Sequence, residues 1–161
     1  MPADITVRRA DLAEADLVGA LTERVYRDGG FGSGAYADVL RDGRSRVRDG
    51  IVLVAAADGT ITGTVTLALP GTPFAHMCRA GEAEVRMLAV DEAARGHGVA
   101  NLLMAACETL ARDQGLAAMI LCTETRMHAA QRLYERRGYL RDPDRDWQIR
   151  NIRLIAYRLA L

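Results

Sequence analysis

Apolar and polar positions change rhythm several times along the chain, and each change marks an element. Ile5 and Val7 alternate with polar residues like a first strand, because successive strand side chains point to opposite faces. Asp11-Leu12-Ala13-Glu14 has the form of a capping box and predicts a helix with Leu17, Val18, Leu21 and Val25 inward. Asp28-Gly29-Gly30-Phe31-Gly32-Ser33-Gly34 stops that helix and reads as a mobile loop, since its glycines hold no preferred backbone conformation. Tyr36, Val39 and Leu40 suggest a short second helix. Ile51 to Ala57 is a compact apolar run, Asp58-Gly59 is a hairpin turn, and Ile61 to Ala68 alternates with Thr62, Thr64 and Thr66, giving two antiparallel strands. Pro70-Gly71-Thr72-Pro73 then opens a long loop.

In the second half, Val85 to Val90 reads as a strand and Val99, Leu102, Leu103, Ala106 and Leu110 recur on one face of a helix ending at Gly115. Ala117 to Cys122 is an apolar run short enough for a buried strand, so strand, helix and strand form a parallel crossover. Another helix carries Ala130, Leu133 and Tyr134 on one face and closes at Gly138, a left-handed cap. Tyr139 to Arg141 begins a strand, Asp142-Pro143-Asp144 turns, and Ile152 to Leu161 is apolar on both faces and belongs inside the sheet. The expected fold is α/β (α+β), a mixed sheet of roughly six or seven strands flanked by about four helices.

Composition narrows the function. A chain of 161 residues, half of them hydrophobic, is one domain able to bury a core without staples. Formal net charge is zero, with basic residues spread among acidic ones, so no field draws the chain to nucleic acid or an anionic membrane. Cys78, Cys107 and Cys122 have no metal-ligand spacing and read as buried thiols, and no metal is expected. The first residues lack the basic start and apolar run of a leader, and no apolar run is long enough to span a bilayer. A cytoplasmic address is the expectation, and homodimerisation stays open.

The informative stretch is the strand entering Arg95-Gly96-His97-Gly98-Val99-Ala100 and then a helix. The first turn of a helix leaves N–H groups without partners, at the positive end of the macrodipole. Gly96 and Gly98 remove side chains that would keep an anion away, and Arg95 adds a fork of donors. The expected guest is a phosphate. A P-loop requires a lysine, and this chain has none. A dinucleotide fingerprint requires a glycine where Asn101 stands, leaving only Gly96-x-Gly98.

Arg95, Gly98 and Ala100 do satisfy Arg/Gln-x-x-Gly-x-Gly/Ala behind a strand ending Leu-Ala-Val. That arrangement resembles the acetyl-CoA loop of the GNAT acyltransferase superfamily. Ala83-Glu84-Val85 at the strand's start resembles it too, and Ala130 to Tyr139 is similar to the family's A-x-x-L-Y-E-x-x-G-F/Y helix end. The resemblance is specific from about Ala83 to Tyr139. It implies a bulge in the central strand, freeing backbone groups of Leu88, Ala89 and Val90 for the pantetheine arm while Arg95 to Ala100, including His97 and Val99, hold the diphosphate.

The resemblance also implies roles for two side chains. Glu84 matches the family's general base, which eases loss of the acceptor's ammonium proton. Strand alternation puts Glu84, Arg86 and Leu88 on one face; a salt bridge to Arg86 or a solvated strand end is the structural alternative, and Glu82 is the fallback base. Tyr134 matches the tyrosine that protonates the departing thiolate, a near-balanced transfer from a phenol, against a core tyrosine capped by a carbonyl. Met127 stands where the family often has asparagine, which puts that contact to pantetheine in doubt. His76, His97 and His128 have no partners for a metal site or triad, and Trp147 lines the acceptor side or the core. The implied activity is acetyl transfer from acetyl-CoA to a primary amine of a small molecule or peptide, without a covalent intermediate. Two other readings stand beside it: a non-catalytic CoA-binding module and a dinucleotide-binding domain.

Overall fold

A computed structural model describes residues 4–161. The first three positions, on which the leader reading partly rests, lie outside the described residues. Strand β1 (Ile5–Arg9) passes through a 3-10 turn (Leu12–Glu14) into helices α1 (Ala15–Asp28), α2 (Ala35–Arg41) and α3 (Gly43–Asp49). Strands β2 (Ile51–Ala57), β3 (Thr60–Ala68) and β4 (Glu82–Val90) precede α4 (Val99–Asp113), β5 (Ala118–Glu124) and α5 (His128–Arg136). Strands β6 (Leu140–Arg141), β7 (Trp147–Ile149) and β8 (Ile152–Ala160) complete one eight-stranded sheet, ordered β1-β2-β3-β4-β5-β8-β6 with β7 also on β8. Every pairing is antiparallel except β4 with β5, the parallel pair expected from the crossover.

The elements from Ile51 onward follow the sequence rhythm closely. Helix α3 and strand β7 are additions, because Gly43-Arg44-Ser45-Arg46 and Trp147-Gln148-Ile149 carry too little periodicity to announce themselves. Two helix faces also need correction. Leu17 is 63% exposed, whereas Ala15, Val18, Gly19 and Thr22 are buried. Small residues choose that face: a Cβ on Gly19 would collide with the Arg41 carbonyl, and one on Gly43 with the Ala15 carbonyl, so α1 and α3 meet backbone to backbone. On α4 the buried stripe is Val99, Leu103, Met104, Cys107 and Ala111, with Leu102 outside. That stripe joins Val65 and Leu67 of β3 and Ala83 and Val85 of β4 in the main core, each large side chain worth about 1.5–3 kcal/mol of burial. Gly63 permits the approach, since a Cβ there would lie 2.7 Å from Val99 Cγ1.

The central strand carries one extra residue. Thr66 faces Arg86, but Thr64 faces Ala89, so two residues of β3 span three of β4, a bulge. Met87 occupies it with φ 55°. Before the bulge, Ala83 and Val85 look toward α4; beyond it, Leu88 and Val90 do. The expectation that Glu84, Arg86 and Leu88 share a face is therefore wrong: Glu84 and Arg86 point to the α1 side with Ala89, because the inserted residue reverses the alternation. The same irregularity ends the pairing of β4 with β5, which extends only from Glu82 with Ala118 to Glu84 with Ile120.

A buried polar knot ties α5 to α4. Glu108 is 5% exposed and accepts hydrogen bonds from Arg137 Nε at 3.1 Å and from the Tyr139 hydroxyl at 3.0 Å. Removing one partner of such a pair strands the other in a poor solvent. Glu108→Ala is expected to destabilise the fold by about 3 kcal/mol, lowering Tm by roughly 6–12 °C, with Glu108→Gln intermediate. Urea and thermal unfolding followed by circular dichroism check this; an unchanged midpoint would make the knot energetically silent.

Candidate active site

Between β4 and α4 the chain makes a 3-10 turn (Glu92–Ala94) and enters the glycine loop. Gly96 and Gly98 both have φ 80°, and a Cβ on either would meet no atom within 4 Å. Open space, not packing, lies over them. The backbone N–H groups of Gly96, His97, Gly98, Val99, Ala100 and Asn101 donate to no protein acceptor among the described residues, while Arg95 N–H is satisfied by Glu92 O at 3.2 Å and Leu102 N–H by Gly98 O at 3.1 Å. Gly98 caps the 15-residue helix α4. The Arg95 and His97 side chains are exposed beside the loop. A run of open donors at a helix start suits a diphosphate by geometry and by charge.

The parting of β4 and β5 makes a cleft. Past Glu84 the backbone edges of Leu88, Ala89 and Val90 turned toward β5 meet no partner strand. Tyr134 of α5 belongs to the main core cluster, 6% exposed, its ring 5.8 Å from that of Tyr139 and 6.2 Å from that of Tyr157. The hydroxyls of Tyr139 and Tyr157 donate to Glu108 and Glu135 at 3.0 and 2.9 Å; that of Tyr134 alone among the three has no protein acceptor among the described residues. Burial, then the neighbouring Cys122 and Cys107, pushes the Tyr134 phenol well up, so it keeps its proton at any physiological pH. Gln131 Nε2 fixes the start of α5 by donating to the carbonyls of Glu124 and Thr125, each at 3.0 Å. Met127, at the cap of α5, receives the Thr123 hydroxyl on its sulfur at 3.3 Å.

Glu84 and Glu82 both tie down the long loop after β3. Glu84 is 2% exposed, and its Oε1 accepts the consecutive N–H groups of His76, Met77 and Cys78 at 2.7, 2.6 and 3.1 Å. Its Oε2 lies 4.0 Å from Arg86 Nε, beyond hydrogen-bond range. Glu82 accepts Arg79 N–H at 2.9 Å and the Arg145 guanidinium at 2.8 and 2.9 Å. Burial opposes its ionisation, but Arg145 and the Arg79 N–H hold its carboxyl below the ordinary range. Of the two acids, only Glu84 keeps an oxygen without a bonded partner.

Tyr26 and Tyr36 join this region without a functional signal in the sequence, whereas Trp147 is expected from the sequence on the acceptor side or in the core. Tyr26 of α1 and Tyr36 of α2 meet edge to face, ring centroids 6.5 Å apart. Tyr26 lies within electrostatic reach of Tyr36, Tyr134, Arg86 and Cys122, which draws α1, α2, β4, β5 and α5 to one place. Trp147 stacks on His76 at 4.7 Å, and its buried Nε1 has no acceptor. Burial pushes the Cys122 thiol up to about 11. A separate hollow of about 290 Å³, lined by Asp38, Val39, Asp42, Arg46 and Phe74, shares no residue with the glycine loop. Among the described residues no cluster of His, Cys, Asp or Glu is placed to hold a metal, and no helix is long and apolar enough to cross a membrane.

Comparison with known proteins agrees with this geometry. Residues 22–139, well over half the chain, match the Acetyltransferase (GNAT) family. Among curated proteins none matches in sequence. The fold is similar to that of an acetyltransferase of the GNAT family from Staphylococcus aureus Mu50, with TM-score 0.78, 14% identity and coverage of 98% of this chain and 99% of that one. It is similar to yncA from Salmonella typhimurium, solved with its cofactor acetyl-CoA, at TM-score 0.72, 18% identity and coverage of 98% and 94%. PaiA N-acetyltransferase from Thermoplasma acidophilum, solved with coenzyme A, gives TM-score 0.73 and 15% identity over 95% of this chain and 98% of that one. With its open helix-start donors and split sheet, the chain belongs to the Acetyltransferase (GNAT) family and is an acyltransferase.

Proposed function

We propose that the protein transfers the acetyl group to a primary amine by direct attack, with Glu84 and Tyr134 moving the protons. The observation that carries this reading is the run of unpartnered N–H groups from Gly96 to Asn101 beside a cleft that holds one unbonded carboxylate oxygen and one unbonded phenol. Acetyl-CoA supplies the acyl group as a thioester. The loop amides and Arg95 hold the diphosphate, and the free edges of Leu88, Ala89 and Val90 align the pantetheine, with the Leu88 N–H group facing the developing oxyanion. Glu84 Oε2 receives the proton of the acceptor ammonium, directly or through water, and Tyr134 returns one to the departing sulfur. The bonds balance: the carbon–nitrogen bond forms as the carbon–sulfur bond breaks, one ammonium proton goes to Glu84 before attack, sulfur takes the Tyr134 proton, and the second nitrogen proton restores the phenol.

Direct attack is favoured over a covalent acyl-cysteine. The cleft thiol, Cys122, is pushed up to about 11, so almost none of it is thiolate near neutrality, and the thiolate is the nucleophile. A non-catalytic CoA module would leave the unbonded Tyr134 hydroxyl without purpose, and a dinucleotide site lacks its third glycine at Asn101.

Tyr134→Phe should lower kcat by roughly 10²-fold while calorimetric CoA affinity stays as it was; an unchanged rate removes Tyr134 from the proton path. Gly98→Leu forces a branched side chain into φ 80° and over the amides, and is expected to weaken CoA by at least about tenfold with far-UV circular dichroism preserved. CoA should raise Tm of the unaltered protein with the logarithm of its concentration above Kd, and NAD should not. The reverse pattern would transfer the loop to the dinucleotide reading.

A further inference from the structure

The α1 side of the cleft holds a cation, Arg86, that has the Tyr36 hydroxyl beside it but, among the described residues, no carboxylate closer than 4.0 Å. Arg86 projects from β4 on the same face as Glu84 and its side chain is 24% exposed. One guanidinium hydrogen bond is made, from Nη1 to Phe74 O at 3.1 Å. The sole carboxylate within ion-pair range among the described residues is Glu84, and Oε2 of that acid stands off at 4.0 Å while Oε1 serves three backbone N–H groups. Arginine donors in a half-buried site are costly to leave without acceptors.

A second guanidinium lines the separate hollow, which meets Arg86 at Phe74. Arg46 of α3 is 2% exposed, donates to Val39 O and Leu40 O at 2.7 and 2.8 Å, and has a buried Nε with no partner. No carboxylate pairs with it among the described residues. Asp42, the nearest acid acting on it, caps α3 from an exposed position. The charges of both arginines act on Tyr36, and Tyr26 packs edge to face against it. Such a wall repels a simple alkylammonium and attracts an anion.

We infer that the acceptor is an amino-acid-like zwitterion, a small amine with a carboxylate on the same or the next carbon, whose carboxylate seats on Arg86 and whose nitrogen is thereby delivered to Glu84 Oε2. The inference rests on the acyl-transfer reading above. The cation and the anion of the site stand 4.0 Å apart, and a zwitterion presents its two charges in complementary order at the same scale. Fork-shaped recognition by Arg86 fixes orientation as well as affinity. A lysine side chain or polyamine offers no group for Arg86 and meets its guanidinium instead.

The test uses matched pairs, each amino acid against its own carboxamide, with release of CoA thiol as one readout and calorimetric binding to the CoA-loaded protein as the other. The acid is expected to exceed its amide by about 30-fold in kcat/KM, and Arg86→Gln should bring that ratio near one by raising KM for the acid, with Arg86→Lys between them. Equal use of acid and amide, or a ratio that survives Arg86→Gln, overturns the inference. If no amine releases thiol, the acyl-transfer reading fails, and calorimetry still decides this one: acids binding where amides do not supports a carboxylate site, and neither binding refutes it. The acid-to-amide comparison on the unaltered protein needs no variant, so it stands even if loss of the Phe74 contact loosens the fold.

Discussion

One surplus residue in β4 sets the terms for everything around it. At Met87 the chain takes a left-handed φ of 55°, a conformation that costs a non-glycine residue about 1–3 kcal/mol, and the residue is held there 95% buried, its relative exposure being 5%. The bulge turns Glu84 and Arg86 to one side of the sheet and Leu88 and Val90 to the other. It also separates β4 from its parallel neighbour after Glu84 and Ile120. A flat, fully paired strand would have no free backbone edge and no cleft. The site exists because the ladder is interrupted.

The acids on β4 show how stability and chemistry share side chains. Loops with few apolar residues have little to order them, and the segment after Ala68 has only Leu69, Phe74 and Met77 as large apolar side chains. It is fixed instead by Glu84, which collects three consecutive N–H groups, by Glu82 through Arg79 and Arg145, and by Arg86 through Phe74. This divides Glu84 into a structural oxygen and a chemical one. A carboxylate gripped on Oε1 cannot rotate, so Oε2 is presented in a fixed direction, which is the supported geometry a proton acceptor needs.

Helix α4 links the loop to the core. Its buried stripe seats it on β3 and β4, and Gly63 lets its first turn approach the sheet to within contact of Val99. The open amides are therefore carried by a helix seated on the main core, and the pairs Glu108–Arg137 and Glu108–Tyr139 brace the helix bearing Tyr134 against it. Donors for the diphosphate and the phenol at the cleft are positioned by one rigid unit.

The sequence alone determined the local parts. Period-two alternation located β1 and β3, short apolar runs located β2, β5 and β8, period-3.6 spacing located α4 and α5, and the glycines of Arg95 to Ala100 marked an anion loop, because each signal is written in neighbouring residues. Motif spacing from Ala83 to Tyr139 carried the family. Only the tertiary structure decided the rest. The reversal of faces at Met87 is invisible to a pattern that assumes unbroken alternation. The inward face of α1 was decided by Gly19 meeting Gly43 across two helices, against the pull of Leu17. Tyr26, Tyr36, Arg86 and Cys122 come from four elements far apart in the chain, and no local rhythm records that they converge. Which oxygen of Glu84 is free depends on a loop that folds back onto it, and long-range contact of that kind has no one-dimensional signature.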